Sequence, residues 1–200
     1  MPSYPTLICI PDISGFTRFM SDTNIELSAK VIPALLNEII YTNEIGLRVS
    51  EIEGDAVLFF KTGELPPFSD LINQCKLFFT QFYKQLDALA TQYTQEKGID
   101  KIPQLGLKII LHYGEYVESV QIGNHIKLMG EDVIIAHRLL KNDINEDEYL
   151  LISEQLLNQY HDKIIEFNFG WGELQVDEKR YKHIGNINYS YIKMNKLLED

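Results

Sequence analysis

Two segments about forty residues apart narrow the possible folds more than any other feature of the chain. They are Cys9-Ile10-Pro11-Asp12-Ile13-Ser14-Gly15-Phe16-Thr17 and Val49-Ser50-Glu51-Ile52-Glu53-Gly54-Asp55-Ala56-Val57. Each places one aspartate at the edge of an apolar strand, beside a glycine that lets the chain turn. Brought together, two such carboxylates make an oxygen-rich site suited to Mg²⁺ or Mn²⁺. The first aspartate is followed at once by a helix start, Ser14-Gly15-Phe16-Thr17, whose free backbone N–H groups suit a phosphate. A divalent cation beside a phosphate cradle is the outline of a nucleotide site.

The rest of the chain supplies strands and helices in an order that one domain can use. Thr6–Ile10 reads as a buried strand, and Leu27, Val31, Leu35 and Ile39 recur at helical spacing through Ile25–Ile40, with Pro33 predicting a kink or restart. Leu47–Glu51 and Ala56–Phe60 form a hairpin with Asp55 near its tip, and Phe68–Tyr93 is a long helix with one apolar stripe. Gln95–Gln104 is linking loop. Leu105–Gly114 is read as a strand with Tyr116–Ile122 as its hairpin partner, followed by a short strand at Ile126–Met129 and a helix over Glu131–Leu140. Tyr149–Ile152 is a strand and Ser153–Tyr160 a capped helix, and strand-like runs follow at Ile164–Phe169, Leu174–Val176 and Tyr189–Met194. These elements predict one α+β domain over residues 1–200, its core at about 6–194, with helices covering one face of a largely antiparallel sheet.

Bulk properties exclude several classes of function. Two hundred residues suffice for one buried core, and a hydrophobic content of 45% is ordinary for a globular protein. No apolar run approaches the roughly 20 residues of a membrane helix, and the first residues lack the basic start of a signal peptide. Cys9 and Cys75 lie in apolar surroundings and predict neither a disulfide framework nor a zinc site. A cytoplasmic protein is the expectation. A net charge of −11 argues against nucleic acid or an anionic membrane as partner. A triphosphate ligand would therefore depend on cations placed locally, which screening over a Debye length of ~8 Å allows.

Four segments taken in order resemble the class III nucleotide cyclase domain, the adenylyl and guanylyl cyclase homology domain, in a divergent small bacterial form. They are Asp12-Ile13-Ser14-Gly15-Phe16-Thr17, Gly54-Asp55-Ala56-Val57, Leu111-His112-Tyr113-Gly114-Glu115, and the run from Gly130 to Leu139 that carries Ala136 and Arg138. The resemblance extends from about Leu7 to Met194. It implies a ferredoxin-like βαββαβ core with added strands and a head-to-tail homodimer with shared sites. It implies further that a nucleoside triphosphate is converted to a cyclic nucleotide and pyrophosphate with two Mg²⁺ or Mn²⁺ ions. In that scheme Asp12 and Asp55, with Ile13, hold the metals, and Gly15, Phe16 and Thr17 hold the phosphates. Glu51 and Lys127 of the other subunit occupy the base-reading positions, and Glu51 leans towards guanine because a carboxylate accepts both N–H donors on one guanine edge. Arg138 occupies the place of the transition-state arginine.

The chain also departs from that pattern. Ile134 stands where the family has an asparagine that positions the ribose, and His183-Ile184 stand where a triphosphate-binding lysine precedes Gly185, with Lys182 nearby. Losing one such polar contact costs ~10²–10³ in rate. The alternative reading is therefore a catalytically silent cyclase-fold module that binds nucleotide or metal for regulation or dimerisation. Simple structural roles also remain open: Asp12 as a helix cap, Asp55 as a turn residue, Lys127 as an ion-pair partner for Glu51, and His112 as a hydrogen-bonded core histidine.

Overall fold

The computed structural model of the chain describes residues 4–199. Its elements are β1 (Tyr4–Ser14), α1 (Phe16–Asp22), α2 (Ile25–Tyr41), β2 (Arg48–Glu53), β3 (Ala56–Thr62), α3 (Phe68–Gln92), β4 (Gly106–Ile122) and β5 (His125–Met129). They continue with α4 (Glu131–Leu139), β6 (Tyr149–Ser153), α5 (Glu154–Leu157), α6 (Asp162–Phe167), β7 (Gln175–Tyr181) and β8 (Gly185–Lys193). The strands lie in the order β2-β3-β1-β4-β6-β8-β7, and β5 pairs with the far half of β4. Strands β1 to β4 with their helices form the βαββαβ core, antiparallel in the order β4-β1-β3-β2. Of the pairings in this sheet, β4 with β6 is the parallel one.

β1 is the hub. It pairs with β3 on one side and β4 on the other, and every residue from Thr6 to Ser14 is buried. Its side chains alternate between two cores, because successive strand residues point to opposite faces. Leu7, Cys9 and Ile13 join the apolar sides of α2 and α3, while Ile8 and Ile10 meet Val133, Ile135, Ala136 and Leu139 of α4. The sheet is thus covered on both faces, where the sequence predicted cover on one. The stripe read along α3 is the main core seam, with Phe78 stacked on Phe59 of β3 at 5.4 Å between ring centroids.

Four local expectations are corrected. Pro33 neither kinks nor restarts α2, which runs unbroken; Pro33 and Ala29, whose carbonyl loses its usual donor, are both on the exposed side, where water serves instead. Tyr116–Ile122 is not a return strand. It continues β4, whose outer half forms a two-stranded arm with β5 around the turn at Gly123. Gly114 lets α4 lie against β4 at that point: a Cβ there would fall 2.5 Å from the Cβ of Asp132. Ile164–Phe169 belongs to a helix, α6, for most of its length, since a short apolar run does not by itself distinguish the two periods. The loop read at Gln95–Gln104 contains a 3₁₀ helix over Ile99–Gln104.

Candidate active site

Strand register builds the floor of the site. Asp12 follows Ile8 and Ile10 at period two and so points to the face that α4 covers. Its cross-strand partners are Ala56 on β3 and Lys108 on β4, and Ala56 in turn pairs with Glu53 on β2. Glu53, Ala56, Asp12 and Lys108 therefore form one row across four strands, with the smallest side chain leaving room beside the aspartate. Asp55, in the β2–β3 turn, is tied to this row by the Ile13 backbone N–H, which donates to the Asp55 carbonyl at 2.9 Å. That bond holds together the two strand ends that carry the aspartates.

Above the floor opens a cleft of about 850 Å³. Its walls are Gly15, Phe16 and Thr17 at the start of α1, the turn around Asp55, and Ile134, His137 and Arg138 of α4. Gly15 takes the left-handed backbone, φ 80°, and a Cβ there would lie 2.8 Å from the Gln104 carbonyl oxygen. Glycine is needed at this position both for the turn and for the close approach. No side chain caps α1, so its first N–H groups are left for another acceptor.

The electrostatics centre on Asp12, which is only 9% exposed. Burial, reinforced by the neighbouring Asp55 charge, pushes its carboxyl up to about 6 against the opposing pull of Lys108. Burial also raises Asp55. The Lys108 ammonium stands 3.4 Å from Asp12 and is the cation that keeps the pair tolerable. Lys108 is, with His137, a site residue that the sequence reading missed. Its signal was a single charge inside the apolar run Leu105–Leu111, which had no assigned partner until the register was known. Lys108→Met is expected to drive the Asp12 carboxyl further above 6. Carboxyl NMR titration checks this, and an unmoved Asp12 would show that Lys108 is not its counter-ion.

Asp12, Ile13, Gly15, Phe16, Thr17, Asp55 and Arg138 all line the cleft. Arg138 has no ion-pair partner among the described residues. Glu51 and Lys127 are not part of the lining; they pair with each other at 3.2 Å at its edge, and Glu51 also faces His137. Lys182, His183 and Ile184 lie in and beside the β7–β8 turn, away from the cleft. His112 is a core histidine, fully buried, with Nδ1 2.9 Å from the Ser153 hydroxyl and Nε2 3.5 Å from Asp132.

The acid pair fits a hard divalent cation. Asp12 and Asp55 offer only oxygen, and burial holds both above their usual range, a cost that a bound cation would offset. None of the helices among the described residues is long and apolar enough to cross a membrane.

Comparison with known proteins gives three results. A family described as "Protein of unknown function (DUF2652)" matches residues 32–149. The uncharacterized protein Rv2561/Rv2562 of Mycobacterium tuberculosis is 26% identical over 110 residues, which cover 54% of this chain and 51% of that protein. The chain thus spans about half the length of this curated relative. Among solved structures, the adenylyl cyclase CyaB from P. aeruginosa superposes with a TM-score of 0.65 at 15% identity, over 96% of both chains. The guanylate cyclase domain of RhGC from Catenaria anguillulae, solved with GTP, gives 0.58 at 16% identity over 96% of this chain and 97% of that one. The guanylyl cyclase Cya2 gives 0.59 at 15%, over 95% and 92%. At these identities the likeness establishes the fold, an α+β cyclase-type domain.

Proposed function

The chain belongs to the DUF2652 family, and we propose that it is a divergent nucleotide cyclase, converting a purine nucleoside triphosphate to a cyclic nucleotide and pyrophosphate. The observation that supports this reading most is the acid pair of buried Asp12 and half-buried Asp55, beside an uncapped helix start, in a fold shared with adenylyl and guanylyl cyclases.

In this reading Asp12, Asp55 and the Ile13 position hold Mg²⁺ or Mn²⁺, two ions by analogy with the fold. When bound, the metal supplies Lewis-acid polarisation of the phosphate and acidifies the attacking hydroxyl. The chain's own residues do the rest. N–H groups at Gly15, Phe16 and Thr17 donate to the terminal phosphate oxygens, and Lys108 adds a positive charge beside Asp12 in the same cleft. Arg138 offsets the charge that develops on the departing pyrophosphate oxygens. Glu51 favours guanine once its pairing with Lys127 and His137 is opened by substrate.

A head-to-tail homodimer is part of the proposal. Val49 and Ile52 on β2, Ile126 and Met129 on β5, and Ile134 on α4 are exposed apolar side chains, a pattern suited to a second copy. Ile134, 53% exposed, also supports the second reading, a silent module, since it puts an apolar group where a polar ribose contact is wanted. Electron paramagnetic resonance of Mn²⁺ tests the metal half of the site. Bound Mn²⁺ that is lost in Asp55→Asn is the expected result, and equal binding by both chains would remove the acid pair from the account.

A further inference from the structure

Beside the acid pair, at the outer edge of the same cleft, lies a second constellation of quite different chemistry. Glu51 and Glu53 project from one face of β2, as alternate strand residues do, and α4 brings His137 over them. His137 Nε2 is 3.7 Å from Glu51 Oε1, and Nδ1 is 3.8 Å from Glu53 Oε2. Both distances exceed a hydrogen bond, although imidazole and carboxylate are natural partners. One ion takes a single ring nitrogen, because the two lone pairs of an imidazole diverge, so the three residues are counted with one ligand atom each. One ligand atom from each of the three residues lies within 4.8 Å of the other two.

The geometry points to a binding site for a borderline divalent transition metal, of the Zn²⁺ class, formed by Glu51, Glu53 and His137. An imidazole nitrogen with two carboxylate oxygens selects such an ion over Mg²⁺, which prefers an all-oxygen shell. Two carboxylate charges against the single ammonium of Lys127 leave the cluster negative. Lys127 contacts Glu51 Oε2 and leaves Oε1 facing the imidazole, so it orients the ligand as an outer partner does. Glu53 has the side-chain freedom to close the set, being 55% exposed. Three protein ligands leave at least one position open to water or to a further ligand.

The filled site clamps β2 to α4, and with it the element that carries Arg138. It also commits Glu51 to the metal. Under the cyclase reading, Zn²⁺ therefore blocks base recognition and inhibits; this consequence rests on that reading, but the metal site does not.

The test is calorimetric titration of Zn²⁺ into the full chain with Mg²⁺ in large excess. One Zn²⁺ per chain is expected. His137→Ala and, separately, Glu53→Gln should weaken it by at least about 10–100-fold, the loss that follows even from removing an outer partner of a metal site. Both side chains are partly exposed, and circular dichroism confirms that the variants fold. Asp55→Asn should bind Zn²⁺ as the parent does. Absence of binding in the parent chain, or undiminished binding in either Glu53→Gln or His137→Ala, overturns the site. Loss of Zn²⁺ in Asp55→Asn with retention in His137→Ala would assign the ion to the acid pair and overturn it equally. A chain with no cyclase activity that still gives the expected titration leaves the site standing and removes only the inhibition.

Discussion

Asp12→Asn is expected to abolish cyclisation and, at the same time, to make the fold more stable. The two effects have opposite signs because one carboxylate serves both. Replacing it removes a metal ligand and a fixed charge at the reacting phosphate, which should cost at least about 10³-fold in rate. The folded-state pKa of Asp12 stands at about 6, above the ordinary 3.8. The native state therefore binds this proton more tightly than the unfolded chain does. Stability from this group is full below about pH 4 and falls as pH rises through 6. A shift of about two units corresponds to roughly 3 kcal/mol of cost at neutral pH. Asparagine escapes that cost but leaves Lys108 without its partner, so a net gain of about 1–3 kcal/mol is expected. Urea unfolding at pH 7 and pH 4.5 checks the sign: the gain should shrink at the lower pH. A variant that is destabilised at pH 7 would show that Lys108 more than compensates the burial of Asp12.

Ile134→Asn is expected to raise kcat/KM by roughly 10²-fold. Ile134 lies one helical turn before Arg138, on the same side of α4, and both side chains reach the cleft. An isoleucine there offers nothing to a ribose hydroxyl, whereas an asparagine can both donate and accept. The substitution should cost little stability, within about 0.5 kcal/mol, because the isoleucine is 53% exposed and the two residues have similar helix propensity. Initial rates with the preferred triphosphate, measured beside Asp55→Asn, decide it. An unchanged rate would mean that α4 does not face substrate in the working enzyme.

How much of this was legible in the sequence depended on whether the signal was local. The strand that carries Asp12, the glycine turn after it, the Asp55 hairpin and the α3 stripe are written in neighbouring residues, through periodicity and turn chemistry, although the strand runs on to Ser14. The continuous β4 was missed because Gly114-Glu115 looks like a turn, yet α4 and β5 hold the chain extended there. The row Glu53–Ala56–Asp12–Lys108 depends on the register of four strands, which no local pattern fixes. The same holds for His137, whose meeting with Glu51 and Glu53 follows from how α4 lies over β2.

The central claim is best tested by supplying the purified chain with Mn²⁺ and ATP, GTP, CTP or UTP separately, and identifying the product by mass spectrometry. The account predicts a 3′,5′-cyclic purine nucleotide, with GTP preferred, formed by the parent chain and absent with Asp55→Asn. No cyclic product from any of the four, from a folded chain that still binds Mn²⁺ through Asp55, would contradict it and leave a silent binding module in its place.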